Sequence, residues 1–455
     1  MLNEAIAYYH SLFDDAAARA NDAALSAAIE RGGLFFGTRP ICVALRPRWL
    51  TADQYETLKR VCSLVGGAAR QVVKYMLTDR ATRSLMAFTS GEDALLAMDA
   101  GYDEASASSR LDSFFDNDTG SLQFVEYNAE SPAGMAYEDA LSDVFLNLPV
   151  MRDFSQKYTL TKIDSSPTML DTLLEKFREW GKASEPRVAI VDWKGLSTQA
   201  EFVMFAKLFE ANGLPTVICA PDELTYRDKT LYAAGQPVNL IYKRVLTSEF
   251  LDRYGQATAL DQPLAQAYRD GTICLVNSFK AKPLHKKMIF GLLSDPAIMA
   301  AAGIDRAQQA ELAQHIPWTR RVQPSRTTYQ NQEVDLLKFM RANQDRLLLK
   351  PNDEYGGKGI TIGWETGPAD WAQAIAAALE SPFVVQERVH IAYEDYPTCV
   401  AGQLRIGRRL VDTDPYLFNL QVQGALTRLS TVTLLNVTAG GGSTVPTMLI
   451  AERRR

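Results

Sequence analysis

Short apolar runs alternate with longer amphipathic segments along most of the chain. Residues 2–30 are rich in alanine and are followed by Arg31-Gly32-Gly33, so this segment predicts a helix closed by glycine. A strand is predicted at 41–45, and residues 51–54 have the form of a capping box that opens a second helix running towards residues 66–67. Strands that alternate with helices indicate an α/β fold.

The segment between residues 185 and 280 contains four short apolar runs of the kind found in strands buried on both faces. A predicted helix from Gln199 to Asn212 separates the first two runs. The runs are 187–191, 216–219, 238–242 and 272–276. This pattern predicts a compact parallel-sheet domain.

From Leu347 onwards the pattern changes to strand, glycine loop, strand, helix and strand. The helix is predicted over 369–380, where apolar residues recur at i, i+3, i+4, i+7 and i+8 and form one stripe. The strands are predicted at 347–350, 360–363 and 383–387.

Composition limits the possible functions. The chain has 455 residues, which corresponds to about three folding units, and a net charge of −6 with no long basic run. Clustered cations are needed to bind nucleic acid or an anionic membrane, so neither is an expected partner. Five widely spaced cysteines without a C-x-x-C pair, an acidic N-terminus and the lack of a long apolar run lead us to expect a reduced, cytoplasmic protein.

The strongest local motif runs from Lys350 to Gly359 and contains three glycines in four residues. Glycines let backbone N–H groups approach a polyphosphate, while Lys350 and Lys358 supply positive charge on either side. The segment is not a Walker A loop, because G-x-x-x-x-G-K-[ST] does not fit. A tight hairpin whose glycines only allow positive φ is the alternative interpretation.

Two further motifs carry candidate chemistry. Glu126 and Asn128 are two residues apart on a predicted strand, so both project from one face, where their oxygens suit Mg²⁺. The alternative is an ordinary solvated strand face. Near the C-terminus, the glycine run 440–442 could close over a nucleotide or substrate, or act as a flexible linker. Upstream of it, Arg428 is either an ordinary surface charge or, in combination with the other motifs, a candidate carboxylate-binding residue.

These motifs, in this order, resemble those of the circularly permuted ATP-grasp ligases, a group that includes eukaryotic-type glutathione synthetase and glutathionylspermidine synthase. An ordinary ATP-grasp chain carries its acidic metal strand after the nucleotide loop. Here Glu126 precedes Lys350 by more than two hundred residues, as the permuted order requires. The family's glutathione synthetases carry a lysine where this chain has Ser430, so the resemblance implies nucleotide chemistry more directly than glutathione itself.

The resemblance implies a role for each matching residue. The implied ligands of Mg²⁺ are Glu126, Asn128 and Glu354. The implied ATP-binding residues are Lys286, Lys287, Lys350, Gly356, Gly357, Lys358, Gln386 and Glu387, with either Lys286 or Lys287 matching the family's lysine before the lid. The implied catalytic residues are Arg110 and Arg428, and the implied substrate contacts are Ser131, Gln199, Gly441 and Gly442.

The implied fold is α/β, a circularly permuted ATP-grasp fold with an inserted parallel-sheet (Rossmann-like) substrate domain and a nucleotide lid. The expected units are 1–180, the N-terminal part of the catalytic core with the metal strand; 181–285, the substrate domain; 286–390, the lid; and 391–455, the C-terminal part of the core with the closing loop.

The implied activity is that of an ADP-forming ligase that joins a carboxylate to an amine through an acylphosphate. Its substrates are expected to be an amino acid, a γ-glutamyl compound or a small peptide, and the relatives imply a possible homodimer. Two alternatives stay open, namely an ATP-grasp phosphotransferase and a non-catalytic nucleotide-binding partner protein.

Overall fold

The computed structural model describes residues 1–104, 106–432 and 442–453. The first 180 residues contribute helices and strands that build the central sheet and cover it. They are α1 (Leu2–Ser11), α2 (Asp15–Gly32), β1 (Phe35–Phe36), β2 (Arg39–Pro40), β3 (Arg48–Leu50), α3 (Ala52–Thr78), α4 (Arg80–Leu85), α5 (Ser90–Leu96), β4 (Ser108–Phe115), β5 (Leu122–Asn128), α6 (Met135–Leu146), α7 (Met151–Phe154), β6 (Tyr158–Thr161) and α8 (Ser166–Trp180).

The middle of the chain forms a second sheet. Its elements are β7 (Val188–Val191), α9 (Gln199–Ala211), β8 (Thr216–Cys219), β9 (Leu224–Arg227), β10 (Thr230–Ala233), β11 (Gln236–Val238), β12 (Leu240–Lys243), α10 (Thr247–Tyr254), α11 (Pro263–Arg269) and β13 (Cys274–Val276). Strands β13, β12, β7 and β8 are hydrogen-bonded in that order and all run parallel, while β9, β10 and β11 form a small antiparallel sheet. The four apolar runs predicted in this region overlap the four parallel strands, and of these strands only Lys243 at the end of β12 lies outside its run.

The next segment forms a third, antiparallel sheet ordered β14-β19-β17-β18. Its elements are α12 (Lys282–His285), α13 (Met288–Leu293), α14 (Pro296–Ala301), α15 (Arg306–His315), β14 (Thr319–Arg321), β15 (Arg326–Tyr329), β16 (Gln332–Asp335), α16 (Leu336–Ala342), β17 (Leu347–Pro351), β18 (Thr361–Ile362), α17 (Pro368–Leu379) and β19 (Phe383–Glu387). The predicted stripe on α17 is confirmed at Trp371, Ile375 and Ala378, which are buried, whereas Leu379 at i+8 is 38% exposed.

The last segment returns to the central sheet with β20 (Tyr393–Val400), β21 (Gln403–Phe418), β22 (Gln421–Ser430) and β23 (Gly442–Glu452). Short 3-10 helices lie at Pro221–Glu223, Thr258–Asp261, Phe279–Ala281, Gln344–Arg346 and Gly363–Glu365. The central sheet has the order β3-β23-β22-β21-β4-β5, with β20 beside β21 and β6 beside β23. Both ends of the chain therefore build one sheet.

Each face of the central sheet carries its own hydrophobic core. Neighbouring strand residues point to opposite faces, and Trp49 and Leu50 accordingly belong to different cores. Helix α3 packs on the Leu50 side, whereas α2 and α6 pack on the Trp49 side. This double covering fixes the strands that carry the polar side chains described below.

Two local predictions near the N-terminus differ from the structure. The predicted helix over 2–30 is two helices, because Asp14 accepts a hydrogen bond from the Ala17 N–H and starts α2 anew. The predicted strand at 41–45 is wrong in the described structure, where Ala44 makes only an isolated bridge to Thr398. Ile41, Cys42, Ala44 and Leu45 are buried in the core outside the regular strands, whereas Val43 is 53% exposed, so the hydrophobicity of the run signalled burial at four of its five positions.

Helix α3 begins at the predicted capping box, in which Thr51 and Gln54 each accept from the other's backbone N–H. The helix continues through Gly66 and Gly67 to Thr78. Gly66 lies against the sheet, since a Cβ atom there would come within 2.9 Å of the Leu420 side chain. The glycine pair allows close packing here and does not end the helix.

Candidate active site

A cavity of about 450 Å³ lies where the three sheets meet. The central sheet contributes charged and amide side chains, and the carboxyl ends of the parallel strands contribute a second wall. The antiparallel sheet and its glycine loop contribute Leu348, Ile362 and Gly357. A polar floor with an apolar wall is the usual composition of a small-molecule site.

Strands β4 and β5 place four polar side chains on one face of the central sheet. Arg110 lies opposite Asn128, and Asp112 lies opposite Glu126. A bulge at Val125 shifts the register immediately beyond this point. The prediction that Glu126 and Asn128 share a face is confirmed, since both line the cavity together with the two β4 residues.

The β4 pair belongs to a buried group that also includes residues from β21 and β22. We call Arg110, Asp112, Asp412, Asp414 and Arg428 the arginine–aspartate cluster. Arg110 binds Asp112 through Nε at 2.8 Å and Nη2 at 3.0 Å. Arg428 Nη2 lies 2.8, 2.5 and 3.0 Å from carboxylate oxygens of Asp112, Asp412 and Asp414. Three acids therefore share two guanidinium groups.

This imbalance appears in the protonation behaviour of the aspartates. Burial tends to raise the pKa of Asp112, but Arg110 and Arg428 outweigh it and hold that pKa at about 2. Burial raises the pKa of Asp412, and raises that of Asp414 still further, because Arg428 compensates them only in part. The two arginines therefore compensate Asp112 fully and the other two aspartates only in part, which favours the neutral forms of Asp412 and Asp414.

Two lysines approach the Glu126 side of the cavity from the third sheet and the segment before it. Lys287 Nζ is 3.2 Å from Glu126 Oε1 and also donates to the Glu354 carbonyl. Lys350 Nζ donates to Gln386 Oε1 at 2.7 Å and to the Val125 carbonyl at 3.1 Å. Burial lowers the pKa of Lys350 to about 8, and nearby Glu126 limits the fall.

Lys286 and Lys287, which the sequence alone left equivalent, have different surroundings. Lys286 pairs with Glu92 at 3.0 Å and with Asp353 at 3.1 Å. Lys282 joins the same group, 2.5 Å from Asp353 and 3.4 Å from Glu130. We call Glu92, Glu130, Lys243, Lys282, Lys286 and Asp353 the loop-anchor network, because Asp353 stands at the base of the glycine loop. Lys287 is therefore the better candidate for a ligand contact.

The glycine loop follows β17 and reaches the cavity. Gly356 and Gly357 line the cavity and have positive φ values of 64° and 75°, a conformation that strongly favours glycine. The Glu354 carboxylate lies 3.5 Å from the exposed Lys358 ammonium. The structure thus brings the Glu354 backbone to Lys287, while its carboxylate pairs with Lys358.

Strand β19 carries the other predicted nucleotide contacts. Gln386 and Glu387 both line the cavity. Gln386 Nε2 donates to Thr319 Oγ1 at 3.1 Å, and Glu387 Oε1 accepts from the Tyr329 hydroxyl at 2.6 Å. Both side chains are therefore held in place from β14 and β15.

The predicted substrate contacts are only partly brought together. Ser131 lines the cavity. Gln199 begins α9 and accepts from the Gly195 N–H at 3.4 Å, and it is absent from the cavity wall formed by the described residues. Gly442 begins β23, whereas Gly441 lies outside the described residues.

Sequence reasoning missed several polar residues of this site. Asp412 and Asp414 alternate along β21, and the same spacing had drawn attention to Glu126 and Asn128. Asn352 was also missed, although its side chain accepts from the Met288 N–H and donates to the Met86 carbonyl. The Asn352 carbonyl accepts from the Lys287 N–H at 2.9 Å, so this residue fixes the backbone at Lys287 and Met288.

The side chains of the cavity can be compared with the ligands that a divalent metal ion requires. Within the described ranges, no three His, Cys, Asp or Glu residues form a complete metal cage. Glu126 and Asn128 nevertheless present oxygen atoms side by side to the cavity, which suits Mg²⁺ when substrate phosphates and water supply the other ligands. Among the same residues, no helix is both long and apolar enough to cross a membrane.

Comparison with known proteins gives three findings. Residues 114–430 match the family described as circularly permuted ATP-grasp type 2. A putative glutamate–cysteine ligase 2-2 of Frankia casuarinae is 23% identical over 277 residues, which are 59% of this chain and 30% of that protein. The chain thus spans under a third of that relative.

The third finding concerns a solved structure. The apo form of a glutathione synthetase like-effector from Globodera pallida superposes with a TM-score of 0.57 at 11% sequence identity. The superposition covers 95% of this chain and 96% of the other. At this identity the likeness concerns the fold.

Proposed function

Because the chain belongs to the circularly permuted ATP-grasp type 2 family, we propose that it is an ADP-forming ligase that joins a carboxylate to an amine. The observation that carries this proposal is a single cavity lined by a carboxylate–amide pair, a buried lysine and a glycine loop. Phosphoryl transfer needs mainly positioning and charge neutralisation, and these groups supply both.

The glycine loop, Lys287 and Lys350 are proposed to hold the phosphates of ATP. Lys350 is pre-positioned by Gln386, and Lys287 by the backbone of Asn352. The base is proposed to lie against Leu348 and Ile362, beside the Gln386–Glu387 strand end. This division places the transferable phosphate towards the polar floor.

Glu126 and Asn128 are proposed to hold Mg²⁺, with Glu354 as a third ligand if its side chain turns away from Lys358. The ion would neutralise charge that develops on the transferred phosphate. The protein's own part is to fix the donors, which the pairing of β4 with β5 does.

The proposed reaction has two steps. A substrate carboxylate oxygen attacks the γ-phosphorus, forming an acylphosphate and releasing ADP. An amine nitrogen then attacks the acyl carbon, the C–O bond to phosphate breaks, and the amine loses a proton. Arg428 lines the cavity and can contact the acyl group, while Asp112 fixes its Nη2 atom.

The units of the fold are proposed to divide this work. Residues 181–285 would bind substrate at the ends of the parallel strands, and 286–390 would act as the lid over ATP. The segments 1–180 and 391–455 would together form the core, a division supported by their shared sheet. Closure would exclude water from the acylphosphate.

The test is an ADP-release screen of the purified protein with Mg²⁺, ATP and pairs of carboxylates and amines, followed by mass spectrometry. Amide formation that depends on both substrates, and that Glu126→Gln abolishes, is expected. A stable phosphate ester without amide would indicate a phosphotransferase instead. Absence of ADP across a broad panel would contradict catalysis.

A further inference from the structure

The cavity extends to the carboxyl ends of the parallel strands. Strands β8 and β12 flank β7 on opposite sides, so the chain leaves β7 and β12 in opposite directions. In open α/β sheets, such a switch point forms a crevice that takes ligands. Asp192, which directly follows β7, and Leu246 and Glu249, which follow β12, all line the cavity here.

At this end of the cavity, which we call the corner, two carboxylates lack a cationic partner among the described residues. Asp192 is only 9% exposed, and its Oδ1 accepts from the Trp193 N–H at 2.8 Å. Glu249 Oε1 accepts from the Tyr355 hydroxyl at 2.9 Å. Among the residues that the structure describes, neither carboxylate has a lysine or arginine nitrogen within 4.0 Å.

The cations of this region are already paired with other acids. The pairs are Arg244 with Glu201 at 3.4 Å, Lys243 with Glu130 at 3.6 Å, Arg253 with Asp222 at 3.6 Å, and Lys194 with Glu223. Arg244 also donates a hydrogen bond to the Pro132 carbonyl at 2.5 Å, so its guanidinium is already engaged. The corner therefore keeps excess negative charge facing the cavity.

We propose that Asp192, Glu249 and Tyr355 form a subsite for an organic ammonium group of the substrate. The inference rests on the proposed function and names the chemistry of one substrate end. An ammonium would supply the missing cation and donate hydrogen bonds to both carboxylates. Its source is either the α-ammonium of an amino-acid carboxylate donor or the second nitrogen of a diamine acceptor.

Two further observations fit this assignment. Burial raises the pKa of Asp192 to about 6; Arg244 and Lys243 oppose the rise, and Glu249 adds to it. A bound cation would favour the ionised form. Tyr355 belongs to the glycine loop, so the loop would contact ATP on one side and the ammonium-bearing substrate on the other.

The test is calorimetric titration of the full chain, without ATP, using 1,4-diaminobutane, L-glutamate and the uncharged 1,4-butanediol as probes. At least one ammonium probe is expected to bind, and butanediol is not. Asp192→Asn should lower the affinity for the ammonium probe that binds by at least about tenfold, and Glu249→Gln should lower it by less. The matched control Asp171→Asn, an exposed position on α8, should leave its affinity unchanged.

The probe that loses affinity identifies the source of the ammonium. Loss of L-glutamate binding assigns the subsite to the carboxylate donor, and loss of diamine binding assigns it to the acceptor. Equal binding of butanediol, no binding of either ammonium probe, or unchanged affinity in both variants would overturn the inference. The titration contains no ATP, so it tests the subsite independently of catalysis. If the affinity depends on Asp192 but the separate screen detects no ADP formation, the proposed function is rejected and the subsite is retained. Urea unfolding of each variant checks that it folds.

Discussion

The loop-anchor network and the arginine–aspartate cluster are both buried and charged, but their charges are balanced differently. The network combines three lysines with three carboxylates, and five of its six side chains are at most 3% exposed. The cluster combines two arginines with three aspartates, and Arg428 is 19% exposed at the cavity. The network has as many lysines as carboxylates, whereas the cluster has one acid more than it has arginines and borders the cavity.

The pKa values of the carboxylates follow this difference in part. In the network, the pKa values of Glu130 and Asp353 are lowered and burial raises only that of Glu92, whereas in the cluster burial raises the pKa values of two of the three aspartates. Burial tends to raise the pKa of Glu130, but Lys282 and Lys243 overcome it and hold that pKa at about 2. In the cluster, burial prevails at Asp414 and raises its pKa. A balanced buried group indicates a role in holding the structure, whereas an uncompensated group beside a cavity indicates a binding role.

The largest effect is expected for Lys282→Met. This change would leave Glu92, Glu130 and Asp353 with less positive charge, and breaking a buried ion pair costs about 3–5 kcal/mol in the free energy of unfolding. Urea denaturation measures this loss. The control Lys280→Met removes an ammonium that is 37% exposed and should change stability by about 0.5 kcal/mol or less. Similar losses in the two variants would refute the structural role of the network.

Asp112→Asn tests whether the cluster serves activity. Asp112 accepts from Arg110, Asn128 and Arg428, so its loss should misplace groups that line the cavity. The rate of ADP formation is expected to fall by about a hundredfold, measured as kcat/KM in the substrate-dependent assay. The exposed Asp118→Asn should retain full activity, and a comparable loss there would contradict the assignment.

The third prediction concerns the pH dependence of ATP use. Burial lowers the pKa of Lys350 to about 8, so its ammonium is present below pH 8 and is lost as the pH rises through that value. The kcat/KM for ATP should therefore fall by about fivefold between pH 8 and pH 9, because the protonated fraction of Lys350 falls from about one half to about one tenth. The Lys350→Arg variant, whether slow or fast, should show no such fall, because arginine stays charged. A wild-type profile that is flat over this range would exclude Lys350 as the phosphate-binding ammonium.

Above the folded pKa of Lys350, the free energy of unfolding should rise with pH while the kcat/KM for ATP falls. The unfolded state binds more protons than the folded state between the folded pKa of about 8 and the ordinary lysine value, so the Lys350 contribution to the free energy of unfolding increases with pH there. Comparing wild type with Lys350→Met by urea denaturation across this range isolates that contribution.

The smallest effect is expected for Asp414→Asn. Burial already disfavours the charge of this carboxylate, and asparagine keeps an oxygen to accept from the Ser113 N–H. The free energy of unfolding at pH 7 should change by about 1 kcal/mol or less. A loss as large as that of Lys282→Met would remove the contrast between the two regions.

Local chemistry accounts for what could be predicted from the sequence. The capping box at Thr51, the apolar stripe of α17 and the alternation of Glu126 with Asn128 each depend on residues a few positions apart. The helix break at Asp14 was missed because an alanine-rich context concealed its capping role. The run at 41–45 was assigned to a strand because apolar residues indicate burial equally well.

The rest of the site could not be predicted because it depends on register and on distant pairing. Asp112 meets Arg428 across 316 positions, and Lys282 meets Asp353 across 71. Neither pairing has a local signal. The different roles of Lys286 and Lys287 likewise follow from which neighbour each one reaches, Glu92 or Glu126.

The central claim is that this protein uses ATP to activate a substrate carboxylate as an acylphosphate. The most direct measurement uses the carboxylate found in the ADP-release screen, labelled with ¹⁸O in both oxygens, and determines the mass of the released phosphate. Transfer of one ¹⁸O atom to each phosphate, matched by one amide formed, is the predicted result. Amide formation with unlabelled phosphate would contradict the claim.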